Sequence, residues 1–348
     1  MERWETAEKR EAEADGTPPA RRGGRPPSRR PGGPDHGAVG EPGHGAAGGP
    51  SPVPGAPEPP DASRPTLRRR GGPRPPRWWL NAGGAVLLGV MVAAQIATGL
   101  RPDDLRLTTV VVVLVAASGL AFASAATTPR RAAGAFGAAV AAGYAAEWIG
   151  TRTGLPFGDY HYTDVLWPRP GGVPLIVALA WGGMGLAAHA VAARAVPGGT
   201  ALGGTVFGGT VPYGAVARVC AGAVALTAWD LFLDPQMLRL GLWVWAEPGP
   251  YRGVPLGNFA GWLLVSLLVM TLIERIAHHP APAAAPRRGA VGGQAGATGL
   301  VALYTVMAVM ETIGFAVVFR PPDPLVAAAG GVAMGTCALL AWRGTWRR

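Results

Sequence analysis

The sequence predicts an all-α protein, a polytopic bundle of about eight transmembrane helices that follows a disordered N-terminal tail. Only 15% of the residues are charged and 49% are hydrophobic, whereas ordinary soluble domains carry about 25% charged residues. Beyond residue 77 the chain consists largely of apolar stretches. A helix needs about 20 apolar residues to cross the hydrocarbon core, so these stretches indicate membrane spans.

The first 77 residues are predicted to form a disordered cytoplasmic tail. They are rich in Pro, Gly and Arg, with almost no apolar residue that could build a core. No apolar segment follows the charged start, so the tail is not a signal peptide. No aromatic residues are interleaved with its arginines, so we expect contact with membrane lipid headgroups and no nucleic-acid partner.

The remaining residues, 78–348, are predicted to form one transmembrane helical domain. The third span is rich in Gly and Ala, a composition that favours close helix packing over lipid exposure. The eight predicted spans lie near residues 80–99, 107–127, 132–150, 174–193, 214–233, 257–276, 297–319 and 324–342.

The charges between the spans predict that both termini are cytoplasmic. With the N-terminus inside, the inner segments carry many arginines and a single acid, Glu274. In the outer segments arginines and acids balance, so the net charge there is zero. This asymmetry follows the positive-inside rule and fits an even number of spans in a multi-pass protein of the cell membrane.

The sequence predicts neither a metal nor a cofactor. Cys220 and Cys337 lie inside apolar stretches and cannot form a disulfide framework or a zinc site. No glycine-rich phosphate loop lies between a strand and a helix. His161 could form a hydrogen-bonded set with Asp159 and Asp164 or hold a metal, but this spacing matches no standard metal site.

Three acidic residues lie in the outer halves of predicted spans and are candidates for a functional site. Glu147, Asp230 and Glu311 come from the third, fifth and seventh spans, at similar depth below the outer surface. A charged side chain at mid-membrane costs about 2.5–3.5 kcal/mol on insertion scales and is therefore usually functional. The alternative is a purely structural role, with Glu147 paired to Arg152 and Glu311 paired to Arg320.

A short motif occurs twice and links the acidic spans to the helices that follow. Gly-Val-Pro-Leu occupies residues 172–175 and 253–256, and in each copy a Trp follows nine positions after the Gly, at Trp181 and Trp262. Each copy ends an outer loop rich in Trp, Tyr, Gly and Pro. The pattern predicts a parallel repeat whose two loops close over one site between spans three to six.

The stretches "EWIGTRTGLPFGDYHYT", "GVPLIVALAW", "WDLFLDP" with "LWVW" downstream, and "YRGVPLGNFAGW" resemble a known family. It is the carotenoid biosynthesis membrane-protein family, which includes the carotenoid 1′,2′-hydratases, or bisanhydrobacterioruberin hydratases. The resemblance covers roughly residues 80–345. It implies a carbon–oxygen lyase that hydrates the terminal C=C of an acyclic carotenoid, of lycopene or bacterioruberin type, to a tertiary alcohol. The carotenoid in the bilayer and other enzymes of the pathway are the implied partners.

Alkene hydration needs an acid to protonate carbon and an environment in which the resulting cation survives. A buried carboxylic acid can remain protonated, so Glu147 and Asp230 are candidate proton donors. Asp234 or Asp159 could orient the water and take its proton. Aromatic faces stabilise a cation by about 0.5–2 kcal/mol, and Tyr160 and Tyr162 share a face if that segment is extended. The expected substrate-binding residues are Trp148, Phe157, Tyr160, His161, Tyr162, Trp229, Trp243, Trp245, Asn258, Trp262 and Glu311.

Two other classes of function fit the same residues. An isomerase or cyclase of isoprenoid metabolism also begins by protonating an alkene. A lipid or carotenoid transporter or binding protein would also carry repeats and acids within the membrane. Because the acids cluster near one face and do not form a path across, the sequence favours an enzyme.

Overall fold

The computed structural model describes residues 77–102, 104–196, 203–206, 209–277 and 290–346. The predicted tail lies outside the described residues, apart from Arg77. Within the described residues eight α-helices confirm the predicted all-α bundle. They are α1 Trp78–Leu100, α2 Leu105–Ala126, α3 Pro129–Thr153, α4 Leu175–Ala195, α5 Tyr213–Arg239, α6 Leu256–Ala277, α7 Ala290–Ile313 and α8 Pro324–Trp346.

Seven helices are long and apolar enough to cross a membrane, with mean hydropathies from 1.6 to 2.2, so the chain is a multi-pass membrane protein. The exception is α3, the predicted third span. It has 25 residues, but its Gly and Ala content and its four charged side chains lower its hydropathy. It packs closely against α4 and α6, as its small residues predict. The orientation of the termini stays a prediction.

Helix α4 lies at the centre of the bundle. It packs against α2, α3, α5, α7 and α8, and 83% of the residues in its most apolar 18-residue stretch are buried. By contrast, only 11% of the corresponding window of α1 is buried, which places α1 at the periphery. The run "GGMG" within α4 explains this position, because helices approach most closely where the side chains are small.

The N-termini of α4 and α6 have the same local structure, as the repeated motif predicts. Gly172 and Gly253 have positive φ angles of 88° and 90°, a conformation that favours glycine. The following valines, Val173 and Val254, are both fully buried. The helices begin at Leu175 and Leu256, so each motif proline lies immediately before its helix, whereas the sequence places it within the first turn.

The two aromatic loops pair with each other at one end of the bundle. Strand β1, Tyr160–Tyr162, runs antiparallel to β4, Trp243–Trp245, with Tyr160 opposite Trp245 and Tyr162 opposite Trp243. A separate β-hairpin consists of β2, Gly203–Val206, and β3, Gly209–Pro212. Because β1 belongs to the first aromatic loop and β4 to the second, the structure confirms that these two loops close over one region.

Helix α5 is longer than the sequence predicts. The predicted span ends at residue 233, but the helix continues through Pro235 to Arg239. Asp230 and Asp234 are therefore four residues apart on one helix and face the same side. The sequence analysis placed Asp234 in the outer loop, because the predicted span ends at residue 233.

Candidate active site

A cavity, here called the first cavity, lies beneath the β1–β4 pair and between helices α2 to α6. The space within it, counted out to its open mouth, is about 590 Å³, and its wall is largely aromatic and apolar. Nine of the predicted site residues line it: Glu147, Phe157, Tyr160, Tyr162, Asp234, Trp243, Trp245, Asn258 and Trp262. The folding of both loops onto one sheet brings these residues together from two distant parts of the chain.

Glu147 is buried in the wall of the first cavity and accepts three hydrogen bonds. The Tyr162 hydroxyl donates to its Oε2 at 2.8 Å, and the Tyr160 hydroxyl donates to the same oxygen. Trp181 Nε1 donates to Oε1 at 3.1 Å. Gly143, one turn earlier on α3, makes room for this indole, since a Cβ there would lie 2.3 Å from the Trp181 ring.

The two tyrosines are held as hydrogen-bond donors. Burial, and then the negative charge of Glu147, raise the pKa of the Tyr160 and Tyr162 hydroxyls above its ordinary value. Both hydroxyls therefore keep their protons at neutral pH. Arg152 does not pair with Glu147, because its guanidinium donates to the carbonyl oxygens of Trp148 and Gly171.

A second acidic group lies on α5 and is bridged by one amide from α6. Asn258 Nδ2 donates to Asp230 Oδ2 at 2.9 Å and also to Asp234 Oδ2. All three side chains are buried. Asp234 and Asn258 line the first cavity, and Asp230 Oδ1 has no hydrogen-bond partner among the described residues. Two carboxyl groups thus share one neutral donor in a dry interior.

Aromatic rings pack against one another in and around the wall. Trp181 and Trp262 stack with their ring centroids 4.1 Å apart, and Trp229 meets Trp262 edge-on at 6.3 Å. Tyr160 packs against Trp245 with a centroid distance of 5.0 Å. The indole N–H groups of Trp243 and Trp245 are buried with no partner among the described residues.

Three predicted site residues are exposed and lie outside the first cavity. Asp159 and His161 are exposed, because alternate residues of an extended strand point to opposite faces and β1 buries its tyrosines. Trp148 is 43% exposed and lies beneath the Arg152 guanidinium, 4.1 Å from its ring centroid. The structure therefore corrects the prediction that these three residues contribute to the site.

Glu311 belongs to a neighbouring second cavity, whose space, counted out to its open mouth, is about 1100 Å³. Its carboxyl is buried and, within the described part of the chain, forms no ion pair with Arg320. Trp229 also lines this cavity. The other lining residues come from α1, α2, α4, α5 and α7 and include Gln95, Thr108, Val112, Ala180, Leu233, Gln236, Met237, Met307 and Met310.

Sequence reasoning missed one functional candidate, Trp181. The repeated motif was a signal for it, since Trp181 and Trp262 occupy the same place in the two copies. Its hydrogen bond to Glu147 was not predictable, because the two residues lie on different helices. Among the described residues, no group of three His, Cys, Asp or Glu side chains could hold a metal ion.

Comparison with known proteins identifies the relatives of this chain. The family model described as "Carotenoid biosynthesis protein" matches residues 107–322. The chain is also 29% identical over 132 residues to the bisanhydrobacterioruberin hydratase of Haloarcula japonica. That alignment spans 38% of this chain and 41% of the relative, so less than half of the relative's length is matched. No solved structure shows a significant match.

Proposed function

Because this chain belongs to the carotenoid biosynthesis protein family, we propose that it hydrates the terminal C=C of an acyclic carotenoid to a tertiary alcohol. The enzyme is then a carbon–oxygen lyase of the cell membrane, and its substrate is of lycopene or bacterioruberin type. One observation carries the proposal. Two separate groups of buried carboxyls, Glu147 and the Asp230–Asp234 pair, meet an aromatic cavity.

The aspartate pair is the proton donor in this mechanism. Two carboxyl groups that share a site in a low-dielectric interior do not both ionise, so the pair retains a proton. The Asn258 amide donates to both and fixes their orientation. Asp234 lines the cavity, so it delivers the proton to the less substituted alkene carbon and leaves a tertiary cation.

Glu147 has the complementary role. We assign Glu147 the ionised role because its three hydrogen bonds favour the charged form against the desolvation that burial imposes. Its negative charge stabilises the cation, with the Trp and Tyr ring faces adding about 0.5–2 kcal/mol each. Glu147 then accepts the proton that the attacking water loses.

The reaction balances without a redox partner. The alkene gains a proton from the aspartates and a hydroxyl group from water, and the second proton of that water passes to Glu147. Transfer of one proton from Glu147 back to the aspartate pair restores the enzyme, so the alcohol contains the atoms of the alkene and one water. The substrate and its alcohol are both lipid-soluble, and other enzymes of the pathway can exchange them through the bilayer.

The decisive experiment is expression in a lycopene-accumulating bacterial host, with the extracted pigments analysed by chromatography and mass spectrometry. We expect a new pigment that is heavier by one water, and its loss in Glu147→Gln at equal protein level. The exposed-site variant Asp164→Asn is the matched control and should keep the product. A product of unchanged mass would indicate an isomerase or cyclase. Unchanged pigments across several acyclic carotenoids would refute catalysis and leave a transporter or binding protein.

A further inference from the structure

The second cavity adjoins the first. Both walls include Thr108 and Val112 of α2, Ala180 of α4, and Leu233 and Met237 of α5. These shared residues form the boundary between the two cavities. A long guest with its end in the first cavity would reach the second across this boundary.

The far end of the second cavity reaches the surface of the bundle. Four of its lining residues are exposed apolar side chains: Ile96 53%, Leu100 78%, Ile313 45% and Val318 37%. They lie at the end of α1 and in α7 with the π-helical segment Gly314–Val318 that follows it. π-helical turns are rare and frequently occur at functional sites. In a multi-pass membrane protein an apolar rim on spanning helices faces lipid.

The interior of the second cavity suits a long apolar chain. Met237, Met307 and Met310 line it, and Met side chains are unbranched and adapt to irregular guests. Five of the 21 lining residues are polar, namely Gln95, Thr98, Thr108, Gln236 and Glu311. Gln95 Oε1 is buried with no hydrogen-bond partner among the described residues. The wall is thus mainly apolar.

We propose that the second cavity is the lateral entry channel through which the polyene chain passes from the bilayer to the first cavity. The inference rests on the proposed function, since it takes the terminal alkene to react beside Asp234 and Glu147. During the reaction the end group occupies the first cavity, and the adjoining polyene occupies the second. Glu311 and Gln95 then flank the chain and contribute to substrate binding.

The proposed channel is tested by narrowing the second cavity at a residue that does not line the first cavity. Met310→Trp adds bulk to the wall of the second cavity alone, and Val309→Trp is the matched control because Val309 is 50% exposed and is not part of the wall. Purified proteins are compared for bound carotenoid per protein and for conversion of two substrates. One is a full-length acyclic carotenoid, and the other is a short isoprenoid that carries the same terminal alkene.

We expect Met310→Trp to lower the ratio of long-substrate to short-substrate conversion, and the amount of bound carotenoid, by about tenfold, with Val309→Trp like the wild type. Equal losses for both substrates, or wild-type carotenoid retention in Met310→Trp, would overturn the channel. If Met310→Trp does not fold, Ile313→Trp at the rim carries the same comparison. If neither the wild type nor any variant converts either substrate, the proposed hydration is wrong. The amount of bound carotenoid then tests the channel by itself. Retention of lipid in place of carotenoid by the wild type would also contradict it.

Discussion

The indole rings of Trp181 and Trp262 stack in parallel, with an interplanar angle of 17° and a centroid distance of 4.1 Å. The two residues follow the two Gly-Val-Pro-Leu motifs at the same spacing. They meet where α4 packs against α6. Trp181 also donates its indole N–H to Glu147. The repeat therefore supplies both a structural contact at the centre of the site and a hydrogen bond to a candidate catalytic group.

This relationship predicts different effects for the two tryptophans. Trp181→Phe keeps an aromatic ring in the stack but removes one donor from Glu147, so we expect hydration to fall about tenfold or more, as for a lost hydrogen bond to a charged group. Trp262→Phe keeps that donor and is the matched control. Product formation and bound carotenoid are measured for both. A larger loss of activity in Trp262→Phe would contradict the assigned role of Trp181.

The aspartate pair predicts a loss of proton transfer when one carboxyl becomes an amide. Asp234→Asn preserves shape but removes the group that we propose delivers the proton, so we expect hydration to fall by about 10²–10⁴-fold. Asp159→Asn makes the same substitution at an exposed residue immediately before β1 and should leave activity unchanged. Turnover at matched protein level is the measurement. Activity within about twofold of wild type in Asp234→Asn would exclude Asp234 as the donor.

The close approach of Trp181 to α3 predicts a stability effect. In Gly143→Ala the new Cβ would lie 2.3 Å from the indole, so the ring must move, at a cost of about 1–3 kcal/mol. Gly137→Ala on the same helix meets nothing within 4 Å and is the control. Thermal unfolding of the detergent-solubilised proteins measures both. We expect a lower melting temperature in Gly143→Ala alone, together with weaker hydration, because Trp181 no longer reaches Glu147.

The predicted orientation has its own test. The arginine distribution places the β1 loop outside and the segment between α6 and α7 inside. In a background without Cys220 and Cys337, His161→Cys should react with a membrane-impermeant thiol reagent added to intact cells. Arg288→Cys, which lies outside the described residues, should react only after the cells are opened. The reverse pattern would invert the topology and place the site at the inner face.

Much of the fold is predictable from the sequence because it depends on local properties. Apolar stretches of about 20 residues predict helices in a membrane, and all eight predicted stretches correspond to helices. The predicted end of α5 at residue 233 was wrong, since the helix passes through Pro235 and ends at Arg239. A helix tolerates such a proline in a membrane protein when its neighbours satisfy the freed backbone groups.

The sequence predicts only those parts of the site that depend on residues close together in the chain. The alternation of β1 requires Tyr160 and Tyr162 to share a face, and the sequence predicts this once the segment is taken as extended. Which face is buried depended on the pairing of β1 with β4, and that pairing excludes Asp159 and His161. The choice of the buried face is a tertiary property, because contacts with a distant segment of the chain determine it.

The sequence by itself determined the membrane bundle, the family, the buried acids and the repeated motif, because hydropathy, charge and spacing follow directly from the residues. Only the tertiary structure decided which acids act together. Glu147 receives three donors from other segments, and Asp230 shares Asn258 with Asp234 across two helices. Trp181 and Asn258 lie on other helices than the acids they contact, and the packing of α3 to α6 brings them together. The protonation roles proposed for the acids depend on those contacts, since the environment of a carboxyl determines whether it holds a proton.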